Sequence, residues 1–219
     1  MTLSNVILFP QSMLPLHIFE PRYRRMLADA LEGQRMFCVA MMRPGKSREM
    51  PSPVAGLGMI RAAVDNPDGT SNLILQGLVR VELGPAVRYR PYRVHKITPL
   101  PTKTASSLAS QALMSRLIEL VGDRLKLGFD LPFNPIPIPT QAAPSESEEP
   151  VAVQAFRQVL NHLTKLDDPE QLADLVSATL LTNSTQRQII LETPDVESRL
   201  RFLIDFLIAD IRRQSKKQS

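Results

Sequence analysis

The chain has 219 residues, 43% of them hydrophobic and 22% charged, a composition that fits one large globular domain or two small ones sharing an interface. No apolar run approaches the roughly 20 residues needed to span a membrane, and Met1–Asn5 lacks the basic-then-apolar pattern of a secretory signal. Cys38 is the only cysteine, which excludes an internal disulfide and fits a reducing cytoplasm. The net charge of +4 is unevenly spread: residues 1–100 carry 13 Lys/Arg against 7 Asp/Glu, and residues 101–219 carry 13 against 15. A basic front half favours an acidic partner, although a solvated face explains it as well.

The first hundred residues read mainly as strands. Val6–Phe9 is a short apolar run stopped by Pro10, and Leu14–Ile18 is a second extended piece. A helix follows, with Pro21 at its first position and Tyr23, Met26, Leu27, Ala30 and Leu31 at steps of three and four. Gly33 is expected to end it in the left-handed conformation. Strands are predicted at Met36–Met42, Gly58–Val64, Asn72–Gln76, Leu78–Leu83 and Tyr92–Ile97, with a Pro-Asp-Gly turn at Asn66–Gly69. Several short strands with regular turns predict a small, closed or nearly closed barrel over residues 1–103. The remainder, 104–219, reads as helices at Leu108–Leu125, Val151–Leu163, after the cap Asp168-Pro169, at Thr185–Leu191 with Ser184 as cap, and from Thr193-Pro194 onward. The last presents a wide stripe from Val196 to Ile211 that predicts core packing, followed by a frayed basic tail. Prolines and the acidic run Glu146, Glu148 and Glu149 mark about 128–150 as a linker. The fold class is therefore α+β, strands first and helices after.

Candidate chemistry is sparse. Ala40-Met41-Met42-Arg43-Pro44-Gly45-Lys46-Ser47 fits a relaxed phosphate-loop pattern. That mechanism needs several glycines and a helix whose N-terminus faces the phosphates, and Pro51 and Pro53 follow too soon. His17, His95 and His162 stand alone without a second ligand at zinc spacing. Cys38, between Phe37 and Val39, reads as a small buried hydrophobe. No catalytic residue, metal site or cofactor site is assigned. Two binding surfaces remain. Met41, Met42 and Met50 flank a Pro-Gly loop, and methionine is flexible enough to accept varied apolar side chains. Arg88-Tyr89-Arg90-Pro91-Tyr92-Arg93 interleaves guanidinium groups with rings, as RNA contact by phosphate pairing and base stacking would require.

Segments spread along the chain resemble the N-terminal substrate-recognition domain of the Lon protease family. They are Val6–Pro10 with Leu14–Tyr23, Gly77–Val81, Pro91–Val94, Asp167–Val176, and Leu191–Leu200 with its Val196-Glu197-Ser198-Arg199-Leu200 signature. The resemblance implies a PUA-like barrel followed by a helical bundle. It implies protein or unfolded-polypeptide binding, as in an adaptor of protein quality control, without the ATPase and Ser-Lys peptidase domains that Lon proteases carry. A non-enzymatic, cytoplasmic recognition module is thus the expectation, with RNA binding through Arg88, Tyr89, Arg90, Tyr92 and Arg93 as the alternative.

Overall fold

A computed structural model describes residues 1–45, 49–103, 108–126, 161 and 163–218. The front half forms strands β1 (Thr2–Leu3), β2 (Met13–Ile18), β3 (Met36–Met41), β4 (Val54–Asp65), β5 (Ser71–Arg88) and β6 (Val94–Pro99), with helix α1 (Pro21–Glu32) between β2 and β3. The back half supplies α2 (Leu108–Lys126), α3 (Pro169–Leu180), α4 (Ser184–Glu192) and α5 (Val196–Gln218). The predicted linker at 128–150 and nearly all of the predicted helix at Val151–Leu163 lie outside the described residues. The class is α+β.

The sheet is mixed. β1 pairs parallel with β3, and the other ladders are antiparallel along the path β1-β3-β4-β5-β2, with β6 also on β5. The expected closure is not seen among the described ladders. The long β5 divides its outer edge, Ser71–Gln76 pairing with β2 and Val81–Arg88 with β6, so neither flanking strand meets β1. The 18 residues of β5 run unbroken through Gly77, where two strands were predicted. The β4–β5 turn forms as expected: Gly69 adopts φ 79° and the Thr70 amide donates to the Asp68 carboxylate at 2.9 Å.

Val6–Phe9 is not a strand, yet Ile7, Leu8 and Phe9 are buried. The segment crosses the sheet where side chains are missing. A Cβ on Gly56 would overlap the Leu8 carbonyl, and one on Gly77 would overlap that of Phe9. Alternate side chains then serve two cores. Leu8 packs with Ile18, Tyr23, Met26, Ile60 and Leu75 between sheet and α1. Ile7 and Phe9 join Met41, Val54 and the apolar faces of α2 to α5, where Leu117, Val176, Leu200 and Leu203 are fully buried.

Helix ends follow side-chain chemistry more than position. Asp168 accepts from the Glu170 amide at 2.9 Å, as predicted. Asn183, not Ser184, caps α4, accepting from the amides of Thr185 and Gln186 at 2.9 and 3.2 Å, while the Ser184 hydroxyl bonds Asn5. Gly33 ends α1 at φ −103°, and the left-handed residue is Arg35 at φ 58°, whose amide returns to the Ala30 carbonyl. α5 continues to Gln218 through the tail expected to fray.

Candidate functional site

Among the described residues, concavities lie on either side of the sheet's outer strands, and two of them matter here. The larger, about 550 Å³, lies between β5 and α3 and has charged residues in its floor. There Arg80, 2% exposed, grips both oxygens of buried Asp174 and reaches Glu170 at 3.2 Å. Arg199, wholly buried in α5, bonds the same Glu170 oxygen at 3.1 Å, the Thr193 and Pro194 carbonyls and the Thr102 hydroxyl. Burial alone would raise the Glu170 carboxyl, but the Thr102 hydroxyl and the Arg199 charge outweigh it and hold it below the usual carboxylate range. Two cations and two carboxylates thus neutralise one another across the junction of sheet and helices. The arrangement ties the two halves together.

The second concavity, a groove of about 390 Å³, lies beside β3, α1 and β6. Its floor follows from the period-two geometry of strands. Met36, Cys38 and Ala40 share one face of β3. The register sets Cys38 beside Leu57 of β4, and Leu83 of β5 beside Ile97 of β6. Beneath them lies a small core of Ala40, Ala55 and Val81. Met26 of α1 forms part of the wall, and Asp29, Gln34, Tyr92, Arg93 and His95 add polar groups. Tyr92 donates its hydroxyl to Asp29 at 2.7 Å, and burial together with that carboxylate raises its pKa. His95 Nδ1 sits 2.8 Å from the Gly84 carbonyl, which can only accept from it. Burial pushes the Cys38 thiol up, so it lies in the groove as a soft apolar surface, not as a nucleophile.

The predicted methionines separate. Met41 is 5% exposed and packs into the core under the helices, so alternation turns it away from the groove. Met42 is half-buried and bridges Pro51, a groove residue, while the neighbouring Met50 is 41% exposed. The methionines in the groove wall, Met1, Met26 and Met36, were not singled out as binding residues in the sequence; Met26 reads there as core and Met36 as the start of a strand. The Arg88–Arg93 run borders the same groove through Tyr92 and Arg93. Each ring has a guanidinium of the same run beside it, and Tyr89 is nevertheless 68% exposed. The Arg88 guanidinium lies 4.8 Å from the Tyr92 centroid and that of Arg93 lies 5.8 Å from Tyr89.

The remaining sequence candidates find ordinary places. Ala40 and Met41 of the phosphate-loop-like stretch belong to β3, and Lys46–Arg48 fall outside the described residues. His17 bonds Asn72 at 2.8 Å, and His162 is not among the described residues. No group of metal-ligating side chains forms among the described residues, and none of their helices is long and apolar enough to cross a membrane.

Comparison with known proteins agrees with the fold. Lon protease 1 of Herpetosiphon aurantiacus is 26% identical over 217 residues, covering 95% of this chain and 24% of that protein. Lon protease of Escherichia coli is 21% identical over 213 residues, with the same coverage. The chain therefore spans about a quarter of the length of these curated relatives. Among solved structures, the N-terminal domain of Mycobacterium avium complex Lon protease superposes with a TM-score of 0.67 at 20% identity, covering 94% of this chain and 95% of that one. The Lon N-terminal domain protein from Xanthomonas campestris gives 0.59 at 18% identity, with the same coverage. Residues 1–209 match the ATP-dependent protease La (LON) substrate-binding domain, and the chain belongs to that family.

Proposed function

We propose that the protein is a non-catalytic recognition module that takes extended apolar polypeptide into the groove between β3, α1 and β6, serving as an adaptor in protein quality control. The observation that carries this reading is the groove itself: an apolar floor of adaptable sulfur-bearing and aliphatic side chains, in a chain of the substrate-binding family. Met42 and Met50 extend the apolar surface along the Pro51 side. Binding is expected to show in fluorescence anisotropy with a labelled unfolded peptide. Ile97→Asp, which charges an already exposed position in the groove wall, should weaken it strongly, and Met50→Ser should weaken it less. Peptide affinity unchanged in both variants would remove the groove from the reading.

The PUA-like character of the front half, and the division into a barrel subdomain at 1–103 and a helical one at 104–219, belong to this proposal. So do a cytoplasmic location and the absence of enzyme activity, for which hydrolysis of ATP or casein by the purified chain is the decisive assay. RNA binding by the Arg88–Arg93 run is the second reading. Against it stands the Tyr92 ring, which lies under Arg88 and is tied by its hydroxyl to Asp29, leaving Tyr89 as the exposed ring of the run.

A further inference from the structure

Deepening the proposed peptide reading, we infer that the groove selects apolar segments flanked by carboxylates, because one of its walls is cationic and its anions are already engaged. From Gly84 to Pro99 the chain carries Arg88, Arg90, Arg93 and Lys96 and no Asp or Glu. Arg93 lines the groove, and Arg88 lies over Tyr92, which lines it too. Arg90 sits exposed between them. None of these cations forms an ion pair with a described carboxylate; Arg93 donates only to the Glu49 carbonyl, at 2.6 Å.

The two carboxylates nearest the groove are otherwise committed. Asp29, the carboxylate in the groove wall, is held by Arg25 at 3.0 Å and by the Tyr92 hydroxyl. Glu49 is paired with Arg22. Glu82, on β5 just before the cationic run, alternates with the groove residue Leu83 and so belongs to the opposite face of the sheet. Lys96 alternates with the groove residues His95 and Ile97 and so belongs to the opposite face of β6. The guanidiniums of Arg88 and Arg90, with Arg93, whose charge is shared with Glu49, therefore form a positive rim beside an apolar floor. An extended segment whose apolar side chains fill the floor places its flanking residues against that rim. Carboxylates there gain paired, charge-assisted hydrogen bonds, whereas lysine or arginine is repelled.

The test uses the full chain and labelled peptides sharing one apolar core, with acidic, neutral or basic flanks, followed by anisotropy at low and moderate salt. The acidic-flanked peptide is expected to bind roughly 3- to 10-fold tighter than the neutral one at low salt, with the basic-flanked one weaker still. The preference should shrink with salt and disappear in R88Q/R90Q, whose thermal unfolding should match that of the parent. Equal affinity for all three peptides, sensitive to Ile97→Asp, would overturn the charge selection and leave the groove reading intact. No binding of any peptide would overturn both. Tight, salt-dependent RNA binding without peptide binding would assign the rim to nucleic acid and overturn the inference.

Discussion

Asp174 is the residue on which the junction of the two halves turns. It is buried, and it faces two guanidiniums that are themselves buried. Removing it leaves two buried guanidiniums sharing the single carboxylate of Glu170, so Asp174→Ala should cost about 3–5 kcal/mol in urea unfolding. Glu170 adds a pH term. Its carboxyl lies lower in the folded chain than in the unfolded one, so its contribution is complete above the ordinary glutamate range, about 4.3, and is lost as pH falls through the folded value. The urea midpoint should therefore drop on acidification, and E170Q should flatten the part of that drop due to this group. Gly77 is a different case: Gly77→Ala forces a Cβ into the Phe9 carbonyl and should destabilise by about 1–3 kcal/mol, visible as a lowered Tm.

Among the elements, α5 carries the helical core. Leu203 is fully buried, so Leu203→Ala should cost roughly 2–5 kcal/mol. An unchanged Tm would mean that the stripe does not pack as described. This helix, α1 and α3 were legible in the sequence because apolar spacing and Asp-Pro or Pro starts act locally. What escaped was set by distant partners. β5 passes through Gly77 because Phe9 approaches from far along the chain. Val6–Phe9 looked like a strand by its composition, but its burial comes from crossing the sheet at two glycines. Asn183 and Ser184 both suit a cap, and only the tie from Ser184 to Asn5 shows why Asn183 takes the role. In the groove, the Arg-Tyr run stood out in the sequence, whereas Met26 and Met36 did not, since neither has a local mark separating a groove wall from a core.

On the scale of the whole molecule, the strand-rich and helix-rich halves read as separate units in sequence, yet they share a core. Phe9, Met41 and Val54 from the front pack with Leu117, Leu172 and Leu203 from the back, and Arg80 crosses to Asp174. The chain should unfold in a single transition by far-UV circular dichroism and by tyrosine fluorescence. Residues 1–103 alone should melt well below the parent or not fold, because truncation exposes this shared face.

The buried crossing of Ile7–Phe9 also sets the order in which the structure can form. Its cover includes α4, whose Arg187 reaches the Ile7 carbonyl across 180 positions and whose Ser184 reaches Asn5 across 179. Contacts at such separation pay a large loop-closure entropy before they return any stability, and chains dominated by them fold slowly. During synthesis, this apolar stretch waits without its lid until the chain has been made as far as α4. In pulsed hydrogen exchange, the amides of Leu8 and Phe9 should gain protection with α4, later than those of the β4–β5 hairpin, whose pairing is local.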